Sequence, residues 1–106
     1  MMQVIIESPR MVLSDKLQEL INEKMNHIGK MSDRITKCVV VLRKEKNDQD
    51  KDSFIEVQLA LPQKSIFASE RAGTFEVALD MVVNDLGSQL RKYKTEREKN
   101  GKGITN

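Results

Sequence analysis

Residues 53–61 carry the strongest constraint on the fold. Ile55, Val57, Leu59 and Leu61 alternate there with Glu56 and Gln58. A period of two puts the aliphatic side chains on one face of an extended strand and the polar ones on the other. Such a strand needs neighbours beside it and a layer over its apolar face. The polar run at 47–52 precedes it and Pro62 ends it. Neighbours are at hand. Residues 36–45 are rich in β-branched side chains, with Cys38, Val40 and Leu42 on one face and Val39, Val41 and Arg43 on the other. Alternation alone leaves open which of these faces is inward. Residues 64–70 read as a short strand with Ile66 and Ala68 opposite Phe67, and residues 3–7 as a first strand broken by Pro9.

The covering layer is expected from two helices. Ser14 is a candidate N-cap with Asp15 behind it, and Leu17, Leu20, Ile21, Met25 and Ile28 follow at helical spacing to Gly29. Thr74 is the second candidate cap, with Glu76 in the first turn. Phe75, Leu79, Val82, Leu86 and Tyr93, with Val83 and Leu90, carry a stripe to about residue 97. Gly87 reads as an interruption of the exposed side of that helix, at a cost of about 1 kcal/mol relative to Ala. Close packing and close approach of a ligand are both open as reasons for it. The order is βαβββα, an α+β fold with two helices packed on one face of a four-stranded sheet. Residues 1–99 form a single domain and residues 100–106 a flexible tail.

At 106 residues, 39% hydrophobic and 32% charged, the chain suits one soluble domain with one modest core. Its only cysteine, Cys38, excludes an internal disulfide and a cysteine zinc site, and reads as a small buried hydrophobe. The apolar run Val4-Ile5-Ile6 is too short for a signal peptide or a membrane span, so a cytoplasmic location is expected. His27, the only histidine, has no nucleophile motif around it and reads as exposed. Asp48, Asp50 and Asp52 lack the Gly and Glu of a calcium loop and read as a solvated turn. Gly101-Lys102-Gly103 has neither the strand nor the helix of a phosphate loop. The expectation is a protein that is not an enzyme, with no cofactor, metal or small-molecule substrate.

Charge is the remaining signal. Residues 89–99 hold Arg91, Lys92, Lys94, Arg97 and Lys99 against Glu96 and Glu98, five minus two or +3, while the whole chain is +2. A solvated helix end with its cations near the C-terminal dipole would account for this alone. Lys24 and Lys30 late in the first helix, and Arg34 after it, extend the pattern. With the helices side by side these join Arg91, Lys92 and Lys94 in one positive surface suited to RNA phosphates and ribose hydroxyls. The four aromatics, Phe54, Phe67, Phe75 and Tyr93, are too few for a base-stacking sheet.

Four segments in order resemble the ribosome hibernation-promoting factors, the family that includes ribosome-associated inhibitor A. They are Ser32-Asp33-Arg34-Ile35, Val40-Val41-Leu42-Arg43-Lys44-Glu45, Thr74-Phe75-Glu76-Val77-Ala78-Leu79-Asp80 and Gln89-Leu90-Arg91-Lys92-Tyr93-Lys94. Their order and spacing span roughly residues 2–98. The resemblance implies a βαβββα fold similar to a double-stranded-RNA-binding domain. It implies a partner, the small ribosomal subunit and the whole ribosome, bound through rRNA in the decoding channel so that messenger and transfer RNA are excluded sterically. By position it implies RNA contacts from Lys24, Arg34, Lys92 and Lys94, with Arg91 and Lys30 beside them. Ser88 stands where the family often has Arg, and His27 near a position where Lys is common. Long members carry a second dimerisation domain. This chain resembles a short form, expected to be monomeric when free and not to dimerise ribosomes alone. The alternative reading is a small protein-interaction module that uses Val39, Val41 and Phe54 on an uncovered sheet face.

Overall fold

The aliphatic alternation of residues 53–61 lies inside a four-stranded sheet with two helices across one face. The computed structural model describes residues 2–47 and 49–105, with 98–105 by backbone alone. The elements are β1 (Gln3–Glu7), α1 (Asp15–Gly29), β2 (Lys37–Lys44), β3 (Ser53–Leu61), β4 (Lys64–Ala72) and α2 (Phe75–Thr105). The sheet order is β1-β2-β3-β4, with β1 parallel to β2 and the other pairs antiparallel. A parallel pair requires a crossover, and α1 supplies it.

Register settles the inward face of β2. Cys38, Val40 and Leu42 pair with Leu59, Val57 and Ile55, and all six are buried. On β4, Ile66 and Ala68 face the same layer and Phe67 points out, 57% exposed. This strand runs on to Ala72, past the expected end at residue 70. Glu70 and Arg71 carry no apolar signal, yet their backbones stay in register with Ile55 and Phe54.

Both helices begin at their expected caps. Ser14 Oγ accepts from Leu17 N–H at 3.1 Å, and Thr74 Oγ1 from Val77 N–H at 3.2 Å. Ile21, Met25 and Ile28 of α1 and Phe75, Leu79, Val82, Leu86 and Leu90 of α2 are buried with the inner sheet face in one core. Each such large side chain contributes about 1.5–3 kcal/mol by leaving water. The helical backbone of α2 continues to Thr105, past residue 97 where the apolar stripe ends, and no proline interrupts it.

Cys38 is buried, and that burial pushes its thiol up to about 12. His27 is exposed. In the loop before β3, Asn47 Oδ1 accepts from the N–H groups of Gln49 and Lys51, so a side chain organises the turn. Asp48, named above with Asp50 and Asp52, lies outside the described residues. No group of His, Cys, Asp or Glu among the described residues is arranged to hold a metal. No helix there is long and apolar enough to cross a membrane.

Candidate nucleic-acid interface

The sheet register brings the basic ends of both helices to one end of the domain. The α1 end leads through residues 30–36 into Lys37, the first residue of β2, which pairs with Ala60 near the end of β3. Lys64, the first residue of β4, pairs with Leu61. Its ammonium lies 5.6 Å from the centre of the Tyr93 ring on α2. The two helices therefore run in the same direction, with both C-terminal halves toward the end of the sheet where β2 and β4 begin.

A groove of about 480 Å³ opens between the α1–β2 loop and α2. Leu90 and Tyr93, both buried, and half-buried Met31 form its apolar floor, and Arg34, Lys94 and Arg97 are exposed cations around it. Asp33 is the one carboxylate in its lining, and Ser32 Oγ accepts from the Arg34 backbone N–H at 3.2 Å, which shapes the loop. Arg97 sits one turn beyond Tyr93, with its guanidinium carbon 5.9 Å from the ring centre. Cations stacked on an aromatic face keep their charge and lose some freedom.

Of the six residues expected from sequence, Arg34 and Lys94 line this groove. Arg91 lies close beside it. Its Nη2 donates to Ser88 Oγ at 3.4 Å, and its Nη1 is 3.4 Å from where a Cβ on Gly87 would stand, a point 3.9 Å from Met31 Cε. Gly87 is thus buried, not on the exposed side as the sequence suggested. The misplacement arises because the α1–β2 loop covers that flank of α2, and only tertiary packing shows it.

Lys92 does not line the groove. Residues two apart on an α-helix project in divergent directions, so Lys92 is turned away from Lys94 toward the flank of Gln89, whose Nε2 donates to the Phe67 carbonyl at 2.7 Å. Lys24 and Lys30 also stay outside the lining. Lys24 is half-buried on α1, three residues after Ile21 and four before Ile28, so its stem runs along the core edge. Lys30 is exposed at the C-cap of α1. Arg97 and Lys64 belong to the same basic end; Arg97 counts in the basic run but not among the six expected contacts, and Lys64 in neither. The signal for Arg97 was its spacing of four from Tyr93 and three from Lys94. Nothing in the linear chain marks Lys64.

Comparison with known proteins places this fold among relatives. Residues 4–98 match the family model described as Sigma 54 modulation protein / S30EA ribosomal protein. The chain is similar to the ribosome hibernation promotion factor of Deinococcus radiodurans, 31% identical over 96 residues, 89% of this chain and 50% of that protein. It thus spans about half the length of that relative. It is also similar to the ribosome hibernation promoting factor of Pseudomonas putida, 26% identical over 97 residues, 92% of this chain and 91% of the relative. The solved structure of a ribosomal subunit interface protein from Coxiella burnetii shares the fold. Its TM-score is 0.77 at 22% identity, over 90% of this chain and 99% of that one.

Proposed function

This chain belongs to the Sigma 54 modulation protein / S30EA ribosomal protein family, and on that premise we propose that it is a ribosome-associated regulator of translation that acts by occupying RNA-lined space. Relatives named as ribosome hibernation factors support the ribosomal target. In the finer reading, the basic end enters the decoding channel of the small subunit and contacts rRNA phosphates through Arg34, Arg91, Lys92, Lys94, Lys24 and Lys30. Messenger and transfer RNA are then excluded by volume, with no chemical step. The cytoplasm, where ribosomes work, is the matching location.

The observation that carries the reading is the groove in which Arg34, Lys94 and Arg97 surround an apolar floor at the shared end of two helices. Phosphate contacts position such a protein, and the apolar floor offers a surface for a ribose or base. Six such contacts predict a log–log salt slope of about −4 to −5 for ribosome binding. Co-sedimentation with ribosomes and isolated subunits over a salt series tests this. Salt-sensitive pelleting with the small subunit, competed by messenger and transfer RNA, is expected. Absence of pelleting at low salt rejects the ribosome as direct target.

One observation favours a second reading, a protein-interaction face. Ile5, Val39, Gln58 and Phe67 form one cross-strand row on the uncovered side of the sheet, and Phe67 is more than half exposed. A salt-insensitive, concentration-dependent mass in ultracentrifugation would support that reading.

A further inference from the structure

A second groove, of about 630 Å³, lies at the opposite end of the sheet. It exists because β1 stops early. The last β1–β2 pair is Glu7 with Val41, while β2 continues to Lys44. The chain after β1 turns away at Pro9 and leaves Leu42–Lys44 facing residues 9–11 across the gap. Leu42 and Met11 supply apolar walls, and Arg10, Arg43 and Lys44 supply three cations.

The one carboxylate in the lining is already engaged. Glu45 accepts from Arg43 Nε at 3.0 Å and from Arg71 Nη2 at 3.2 Å. Those two guanidiniums stand 4.8 and 5.1 Å from the centre of the Phe54 ring, in one cross-strand row with it. Arg43 is therefore held in place with its two Nη groups unused among the described residues. Lys44 lies 5.5 Å over the Phe75 ring. Neither it nor Arg10 has an ion-pair partner among the described residues. Glu7 and Glu56 both pair with Val41, one row away on the open face, and neither lines the groove.

We propose that this second groove is an RNA-contact site separate from the helix-end groove, with phosphates on Arg10, Lys44 and the free Nη edge of Arg43 and a ribose or base against Met11. Two held cations and the free Arg10 around an apolar wall match the alternating charge and hydrophobic surface of a single strand. An acidic peptide fits less well, because strand addition needs a long free edge and β2 leaves only Leu42–Lys44 unpaired on this side. Phe75 beside Lys44 and Tyr93 beside the first groove are separated by about 27 Å of helix at 1.5 Å per residue, so the two sites take different RNA segments. The inference rests on the ribosome being the target.

The test uses photo-crosslinking residues on the full chain bound to ribosomes. One replaces Val12, which is 97% exposed two residues from Arg10. The other replaces exposed Asp33 in the first groove. Crosslinks to rRNA from both positions, at different nucleotides, are expected. An Arg10→Glu/Lys44→Glu variant should bind about tenfold more weakly, with a salt slope less negative by about 1.5, the fold kept, and an unfolding midpoint lowered only slightly by loss of the Lys44–Phe75 contact. The milder Arg10→Gln/Lys44→Gln variant should fall between it and wild type. Crosslinking to rRNA from position 33 with none from position 12 overturns the second site alone, as does wild-type affinity in the reversed variant. Crosslinking from position 12 to protein only overturns RNA as the occupant. Silence at both positions overturns the ribosomal reading and this site with it.

Discussion

Lys92 and Lys94, adjacent to the same buried tyrosine, serve opposite flanks of α2: Lys94 lines the groove with Arg34, and Lys92 does not. Sequence treats them as one basic run, but helical geometry separates them. Lys94→Glu should therefore weaken ribosome binding by about 2 kcal/mol, the scale of a lost charge-assisted contact plus repulsion, and Lys92→Glu by clearly less. Arg34→Glu should combine with Lys94→Glu less than additively, because both act on one groove. Binding curves at a single fixed salt concentration check this, and equal losses at 92 and 94 would contradict the asymmetry.

Gly87 offers a stability test. A Cβ there would meet Arg91 Nη1 at 3.4 Å and Met31 Cε at 3.9 Å, ordinary contacts with movable side-chain ends. Gly87→Ala should thus keep the fold and raise stability by up to about 1 kcal/mol through helix propensity. Gly87→Leu must displace Arg91 or Met31, and should lower both stability and ribosome affinity. Denaturant midpoints for the two variants decide the matter, and a destabilised alanine variant would show that the contact does not relax.

The Arg71 guanidinium, hydrogen-bonded to Glu45 and seconded by Arg43, holds that carboxyl below the usual glutamate range. A carboxylate lowered in the folded state adds stability above its unfolded pKa and loses it as pH falls through the folded value. The wild-type unfolding midpoint should therefore drop more steeply below the usual glutamate range than that of Glu45→Gln. The Arg43–Glu45–Arg71 cluster is solvent-exposed, so the difference is small and shrinks with added salt. Thermal melts from neutral to acidic pH, at two salt concentrations, measure it, and parallel curves would mean that the pair contributes nothing.

Cys38 should be inert in the folded protein. Burial raises its thiol to about 12, so almost no thiolate forms at pH 8. An aromatic disulfide reagent should react only at the rate of unfolding, and at once in denaturant. The same shift works against the fold at high pH. The unfolded thiol ionises first, so stability falls between the ordinary thiol pKa and about 12. Rapid labelling of native protein would show that the strand opens locally.

The strands legible in sequence were those with alternating apolar side chains. Ile55, Val57, Leu59 and Leu61 placed β3 at its observed bounds, while β4 outran its expected end because Arg71 earns its place through Phe54 and Glu45 and not through hydrophobicity. The caps at Ser14 and Thr74 were local chemistry, and both were readable. The inward face of β2 needed its register with β3. The helix-end groove was half legible: a basic run shows in a linear chain, but the meeting of Arg34 with Lys94 and Arg97, and the approach of Lys64 to Tyr93, depend on parallel helices that finish at the same end of the sheet. Those are long-range relations that periodicity does not encode.

The most direct test of the central claim is co-sedimentation of an Arg34→Glu/Lys94→Glu/Arg97→Glu variant with small ribosomal subunits over a salt series, beside wild type. The expected result is loss of pelleting at salt concentrations where wild type binds stoichiometrically, with the fold kept and the unfolding midpoint lowered only slightly, since all three side chains are exposed and Arg97 alone loses a contact, that with Tyr93. Wild-type pelleting by this variant would contradict the assignment of the helix-end groove to rRNA.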